Sequence, residues 1–447
     1  MKSLKRGSRL ITLMISVFII GMIVLIAKIQ MEASFYISNS GSRNLGYIYD
    51  RNGDIIFDDN AENGQYPDGY FKDLGNLIGD ASGQMTNTLV AKNIEKLSNY
   101  SFTSGITYKG GKAAIYSTLS HEANEKVYSA FGDKDGCAIA YNYKTGEILV
   151  CVSRPSVDPL KGYEDLAEGS LLCKAFYKTV PGSTQKIATL ISAVETMGMD
   201  ALMEKSFTCN GVYTNNTGLD IVCHNEYGHG TQNIREAFAN SCNPFFAQLV
   251  EHSGWSLANI EDCYKKLGYS VNGSEETEFS INGIISAKAS TTLEDKNEFN
   301  TQWSCIGQGT SLVSPCQLMM WQSAIANESG KSTMPYLIDH VTNVNGRTVE
   351  NASTNYSEQL FSSQTASEVK DIMLENGLNY TGKIPGYTLG IKSGTAQVKD
   401  GKEENSLLTG FVDDKDFPIA FAILIENRES YDVSTEYIAS VILDSLS

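Results

Sequence analysis

Residues 10–27, LITLMISVFIIGMIVLIA, are eighteen consecutive residues without a charge. Such a stretch constrains the chain more than any other feature, because about 20 apolar residues in a helix cross the hydrocarbon layer of a membrane. Lys2, Lys5, Arg6 and Arg9 precede it with no acidic residue among them, a bias that keeps the N-terminus in the cytoplasm. A cleaved signal peptide begins in the same way, but the run is long for one and MEAS at 31–34 is a poor cleavage site. Residues 1–29 therefore read as a cytoplasmic tail and single-pass anchor, and everything after residue 30 is expected outside the cytoplasm.

That compartment decides how the composition is read. The formal net charge is −17, and four of the basic residues sit at the anchor, so the exterior part is acidic. With no basic stripe interleaved with aromatics, nucleic acid is excluded as a partner. Nine cysteines are many for an exported chain, and the number is odd. Cys209 and Cys223 flank a polar loop; they form a disulfide, or they stay free in a reducing habitat. A metal site built from Cys209, Cys223, His224 and His229 fits no ligand spacing, so no metal is expected.

At 447 residues the chain has room for two or three domains. Residues 30–130 mix polar stretches with short apolar runs around a clear turn, DRNGD at 50–54, and read as a small extended domain. The texture changes at 131–447. CAIAYNY, KTG and EILVCVS give two strands and a tight turn; YTLGIKSGTAQV (387–398), SLLTGFVDD (406–414) and FPIAFAILIEN (417–427) give three more. STEYIASVILDSL closes the chain as an amphipathic helix. Strands at both ends with helices between them predict an α+β fold, an antiparallel sheet flanked by helices whose first and last strands meet.

Within that frame, VPGSTQKIATLISAVETMG (180–198) places Ser183, Lys186, Ile187, Leu190 and Val194 on one helical face, with Pro181-Gly182 before it and Gly198 as its stop. Lys186 thus points toward the core. A lysine there loses solvation and becomes a neutral base beside the Ser183 hydroxyl, although lysines also snorkel out of such faces. In NIREAFANSCNPFFAQLVEHSG, Asn233 with Glu236 fits a capping box, and Asn243-Pro244 fits an N-cap followed by proline. Ser241 and Asn243 then lie on a turn between two helices. Strand alternation in KSGT (392–395) puts Ser393 and Thr395 on one face and Lys392 on the other, and Gly394 leaves room for a second backbone.

Three weak signals in fixed order form a strong one: Ser183-Thr-Gln-Lys186, Ser241-Cys-Asn243 and Lys392-Ser393-Gly394. Here the sequence resembles the class B penicillin-binding proteins, monofunctional transpeptidases with one N-terminal anchor. RNLGYIYDRNG (43–53), KTGEILVCVSRPSVDP (144–159) and IGQGTSLVSPCQL (306–318) extend the resemblance over nearly the whole chain. It implies a penicillin-binding, serine β-lactamase-like transpeptidase fold on a small pedestal domain. It further implies that Ser183 is the acylated nucleophile, Lys186 its base, Ser241 the proton relay and Lys392 the cation beside that relay. Asn243 would bind the substrate's peptide amide, Ser393 and Thr395 its terminal carboxylate, and the backbone N–H groups of Ser183 and Thr395 would form the oxyanion hole.

The activity so implied is a D,D-transpeptidase that cross-links peptidoglycan stem peptides ending in D-Ala-D-Ala and is blocked covalently by β-lactams, without any cofactor. About 90 residues between anchor and catalytic domain are too few for a second enzyme, so a separate glycosyltransferase is the expected partner. One departure stands out: Leu407 and Leu408 lie where the family carries aromatics, which predicts weaker stacking in the groove. An anchored β-lactamase or β-lactam sensor, and a catalytically slow scaffold, share the same architecture.

Overall fold

The computed structural model describes residues 2–447 except 39–44, 63, 99, 102–104, 107–110, 276, 400 and 430; Arg43 and Asn44 of the segment singled out near the anchor thus lie outside the described residues. Helix α1 (Lys2–Ser38) contains the apolar run. Its window Ile11–Ile29 has a mean hydropathy of 2.5, and none of it is buried. At ~1.5 Å per residue it is about 28 Å long, enough to cross a membrane.

The motif-bearing half is built from α2 (His121–Ala130), β1 (Gly136–Asn142), β2 (Ile148–Arg154), α3 (Lys186–Met197), α4 (Ile234–Ala239), α5 (Asn243–His252), α6 (Phe299–Ile306), α7 (Pro315–Ala326), α8 (Ser363–Gly377), β3 (Leu389–Val398), β4 (Glu403–Val412), β5 (Ile419–Ile425) and α9 (Thr435–Leu446), with shorter elements between them. The five strands form one sheet in the order β3-β4-β5-β1-β2, antiparallel throughout. The two ends of the chain meet as expected, where β5 pairs with β1 and Ile423 sits opposite Ala138.

Helices cover both faces of this sheet, which is why β5 (IAFAILI) is apolar without alternation and buried at every position. One face packs against α7, with α8 against β3, and its core, which includes Trp321 and Leu424, continues to Ile187 and Leu190 on α3. The opposite face packs against α2 and α9, through Val127, Ile438, Ile442 and Ile423. Leu407 and Leu408 fall one on each side and are buried, so they fill the two cores and do not line a groove. The sheet therefore has β3 as a free edge.

A second sheet of five strands runs Thr348–Asn351, Ile338–Thr342, Ala114–Ser117, Tyr47–Tyr49, Ile55–Phe57. Three of its strands come from the region before residue 130 and two from the motif-bearing half of the chain. Conversely α2, which precedes residue 131, lays Ala123 and Val127 on the central sheet. The DRNGD turn is present: the Asp50 carboxylate accepts the backbone N–H of Asn52 at 2.7 Å and of Asp54 at 2.9 Å.

Candidate active site

Ser183 sits in a short 3-10 turn, Gly182–Gln185, that leads into α3. Lys186, Ile187, Leu190 and Val194 are buried as expected, but so is every residue from Lys186 to Val194, so the helix is enclosed on all sides and not on one face alone. Three glycines let backbone meet backbone around this turn. Gly182 has φ +53, and a Cβ on it would lie 2.5 Å from the Thr395 carbonyl oxygen. A Cβ on Gly307, at the end of α6, would lie 1.7 Å from the Gly182 oxygen. The room expected at Gly394 for a substrate backbone is taken by the chain's own turn, since a Cβ there would lie 2.9 Å from the Pro181 oxygen and 3.1 Å from the Ser183 nitrogen. The edge strand β3 is thereby pressed against the turn that carries Ser183.

Lys186 does not snorkel; it is fully buried, and its Nζ donates to Ser183 Oγ at 2.5 Å and to Asn243 Oδ1 at 2.8 Å. Burial, with the nearby charge of Lys392 adding to it, holds this amine well below the ordinary lysine range. Lys392 is also buried, and desolvation lowers it to about 7. Its Nζ donates to Ser241 Oγ at 3.0 Å and to the Ser393 carbonyl at 2.9 Å. The two lysines thus serve two serines.

Ser241 occupies the turn between α4 and α5 at φ +50, a conformation that only a rigid surrounding maintains in a non-glycine residue. The capping box of Asn233 and Glu236 opens α4 as read from the sequence. At α5 the reading shifts by one residue: Cys242 is the flanking residue and Asn243 already helical. Asn243 is free of capping duty because its amide spans Lys186 and the Val222 carbonyl, to which its Nδ2 donates at 3.0 Å.

Ser183, Ser241, Asn243, Ser393, Gly394 and Thr395 line one cleft of about 650 Å³. Its other walls carry residues the sequence did not single out, among them Asp220, Gln308 and Glu404. Phe299 and Trp303 on α6 stack with centroids 5.5 Å apart and supply the cleft with an aromatic surface of its own. Position within the GQG-bearing helix was the only available signal for them.

Beside the cleft lies a cluster the sequence reading assembled incorrectly. Cys209, Cys223, His229 and Cys242 each bring a ligand atom within 4.8 Å of the others. Cys223 Sγ is 3.5 Å from His229 Nδ1. Cys242, the middle residue of Ser241-Cys-Asn243, stands where the set weighed and rejected on spacing had His224, and local spacing could not reveal it. All nine cysteines are unpaired, so Cys209 and Cys223 form no disulfide in this structure. Three thiols and an imidazole fit the Cys₃His set of a structural zinc centre, whose ligand atoms lie about 3.5–3.8 Å apart. Hydrogen bonding between Cys223 and Cys242 lowers the first thiol and raises the second, so the pair favours one thiolate.

Serine acyl transfer is the class of chemistry for which this cleft is arranged. Residues 136–444 match the family "Penicillin binding protein transpeptidase domain", and the chain belongs to the class B penicillin-binding protein transpeptidases. "Stage V sporulation protein D" of Bacillus subtilis (strain 168) is 30% identical over 330 residues, covering 69% of this chain and 48% of that protein. The chain thus spans about half of that relative's length. "Peptidoglycan D,D-transpeptidase PbpA" of Mycolicibacterium smegmatis is 25% identical over 352 residues, 73% of this chain and 69% of that one. The fold is that of the crystal structure of PBPA from Mycobacterium tuberculosis, with a TM-score of 0.75 at 18% identity over 91% of this chain and 100% of the other. The mycobacterial protein is also known as a penicillin G acyl-enzyme complex, similar at a TM-score of 0.73 and 19% identity over 91% of this chain and 100% of that one.

Proposed function

We propose that this protein is a peptidoglycan D,D-transpeptidase acting outside the cytoplasmic membrane, to which α1 anchors it with the N-terminus inside. The observation that carries the reading is the pair Lys186 and Ser183: a desolvated amine 2.5 Å from a hydroxyl at the foot of an open cleft. Ser183 Oγ attacks the carbonyl carbon of the penultimate D-alanine, and its proton goes to Lys186 Nζ. The peptide C–N bond breaks, and the departing D-alanine amine takes a proton relayed through Ser241 beside Lys392. An amine of a neighbouring stem then attacks the Ser183 ester, gives up a proton and frees the serine. The backbone N–H groups of Ser183 and Thr395 are the donors for the oxyanion, Ser393 and Thr395 hold the terminal carboxylate, and Asn243 orients the peptide. The acceptor strand reaches the protein from a separate glycosyltransferase.

A zinc ion held by Cys209, Cys223, His229 and Cys242 would have four protein ligands and no open position, so it would supply a cross-link and no reaction step. Through Cys242 that cross-link would brace Ser241 and Asn243.

The test is intact-mass analysis of the full chain in detergent after mixing with benzylpenicillin. The wild type is expected to gain one drug mass and keep it for hours, and Ser183→Ala to gain none. Rapid loss of the adduct with accumulation of hydrolysed drug would make the protein a β-lactamase. No adduct on the wild type would refute acyl transfer and leave a scaffold.

A further inference from the structure

Tyr380 closes a short 3-10 turn, Leu378–Tyr380, directly after α8. Its backbone carbonyl accepts the N–H groups of Lys383 at 2.9 Å and Ile384 at 2.8 Å, which fixes where the side chain starts. The ring packs half-buried against the core shared by Ile384, Ile391 and Ile438, with Lys383 Nζ 5.5 Å from its centroid. From that position the phenol donates to Ser393 Oγ at 2.8 Å. None of the sequence motifs includes Tyr380.

A serine hydroxyl carries one proton and accepts through its lone pairs. Tyr380 fills the acceptor side of Ser393, so the Ser393 proton remains to be given away. The side chain stands on the free edge strand and lines the cleft, where the recipient is the substrate. Donation into Ser393 also polarises its O–H and strengthens what it offers in turn. A hydroxyl committed as donor suits a carboxylate, which only accepts.

We infer that Tyr380 is a positioning residue of the transpeptidase site: it acts through Ser393, committing that hydroxyl as a donor to the terminal carboxylate of the acyl donor. The inference rests on the reading of Ser393 and Thr395 as the carboxylate subsite. It makes Tyr380 a determinant of preference for anionic donors, and benzylpenicillin, which carries the same carboxylate, reads it out.

The experiment measures acylation of the full chain by benzylpenicillin in the wild type, Tyr380→Phe, Ser393→Ala and the double variant, separating the half-saturating drug concentration from the limiting acylation rate. Removing the phenol oxygen keeps the ring and its packing. Tyr380→Phe is expected to raise the half-saturating concentration about tenfold, the scale of one hydrogen bond strengthening a charged contact, with the limiting rate within about twofold. In the Ser393→Ala background the same change is expected to do nothing, because its only route is gone. A loss of equal size in both backgrounds would make Tyr380 a structural prop of the strand and overturn the inference, as would an unchanged half-saturating concentration. A wild type that is never acylated would instead refute the transpeptidase reading, and a Ser393→Ala variant acylated like the wild type would refute the carboxylate subsite alone.

Discussion

Burying Lys186 and Lys392 side by side costs stability that only the chemistry of the cleft explains. Lys392 falls to about 7 in the folded chain, against roughly 10.4 when unfolded. Between those values the unfolded chain holds a proton that the folded chain has released, so stability rises with pH; below about 7 both forms are charged and the full cost is present. The slope from one such lysine reaches at most about 1.4 kcal/mol per pH unit. Lys392→Met is therefore expected to melt higher than the wild type at pH 7, to show a shallower rise from pH 7 to 9, and to lose acylation by about a hundredfold or more. Melting curves across that range, with benzylpenicillin acylation alongside, check it, and parallel curves for the two proteins would refute the burial account. Lys186 was legible because it falls on an apolar helical face three residues after a serine, whereas Lys392, on a strand, was singled out only through its place in the ordered motifs. Tyr380 was not, since its partner Ser393 is brought to it by tertiary structure.

Between elements, the site depends on how closely three backbones approach. Gly182, Gly307 and Gly394 let the nucleophile turn, the end of α6 and the edge strand β3 touch without side chains intervening. The sequence showed the strands and helices plainly, because alternation, continuous apolar runs and caps are local signals. It did not show that Gly394 serves the chain's own turn, since a glycine's neighbour is set by tertiary structure. The thiol cluster failed to be read for a related reason: Cys209, Cys223 and His229 lie around short strands before α4, while their fourth member Cys242 lies in the turn after it. We expect the purified full chain to carry about one zinc per molecule by elemental analysis. Stripping it with a chelator, or Cys242→Ser, is expected to lower the melting temperature by several degrees, the effect of losing a cross-link worth a few kcal/mol. Metal-free protein with an unchanged melt after chelation would show that the four groups are merely packed together.

At the scale of the whole molecule, the small region before residue 130 and the motif-bearing half of the chain share one structure. The expected boundary near residue 130 follows chain order, whereas the physical contacts do not. Strands Ile338–Thr342 and Thr348–Asn351 leave the motif-bearing half to complete the second sheet, with Val341 opposite Ile115. Pairings over more than 200 residues carry no local signature, which is why they were invisible in the sequence. Side chains tie the same seam: Asn76 Nδ2 donates to the Ser153 and Pro155 carbonyls at 3.2 Å each, and Thr118 Oγ1 donates to the Ile148 carbonyl at 2.7 Å. Leu45, Ile48, Leu77 and Ile94 belong to the same hydrophobic core as Ile187 and Leu190 on α3. Residues that share one core have no cheap way to separate, because opening the seam would expose apolar surface on both sides at about 25 cal/mol per Å². The chain after α1 is therefore expected to unfold in one cooperative step: scanning calorimetry of the full chain in detergent should give a single transition whose calorimetric and van't Hoff enthalpies agree within about 20%. Two resolved transitions, with the acyl-enzyme of benzylpenicillin raising only the upper one, would show instead that the region before residue 130 is an independent pedestal. A single transition that the acyl-enzyme shifts as a whole would mean that the distance of Ser183 from the membrane is fixed by the fold itself.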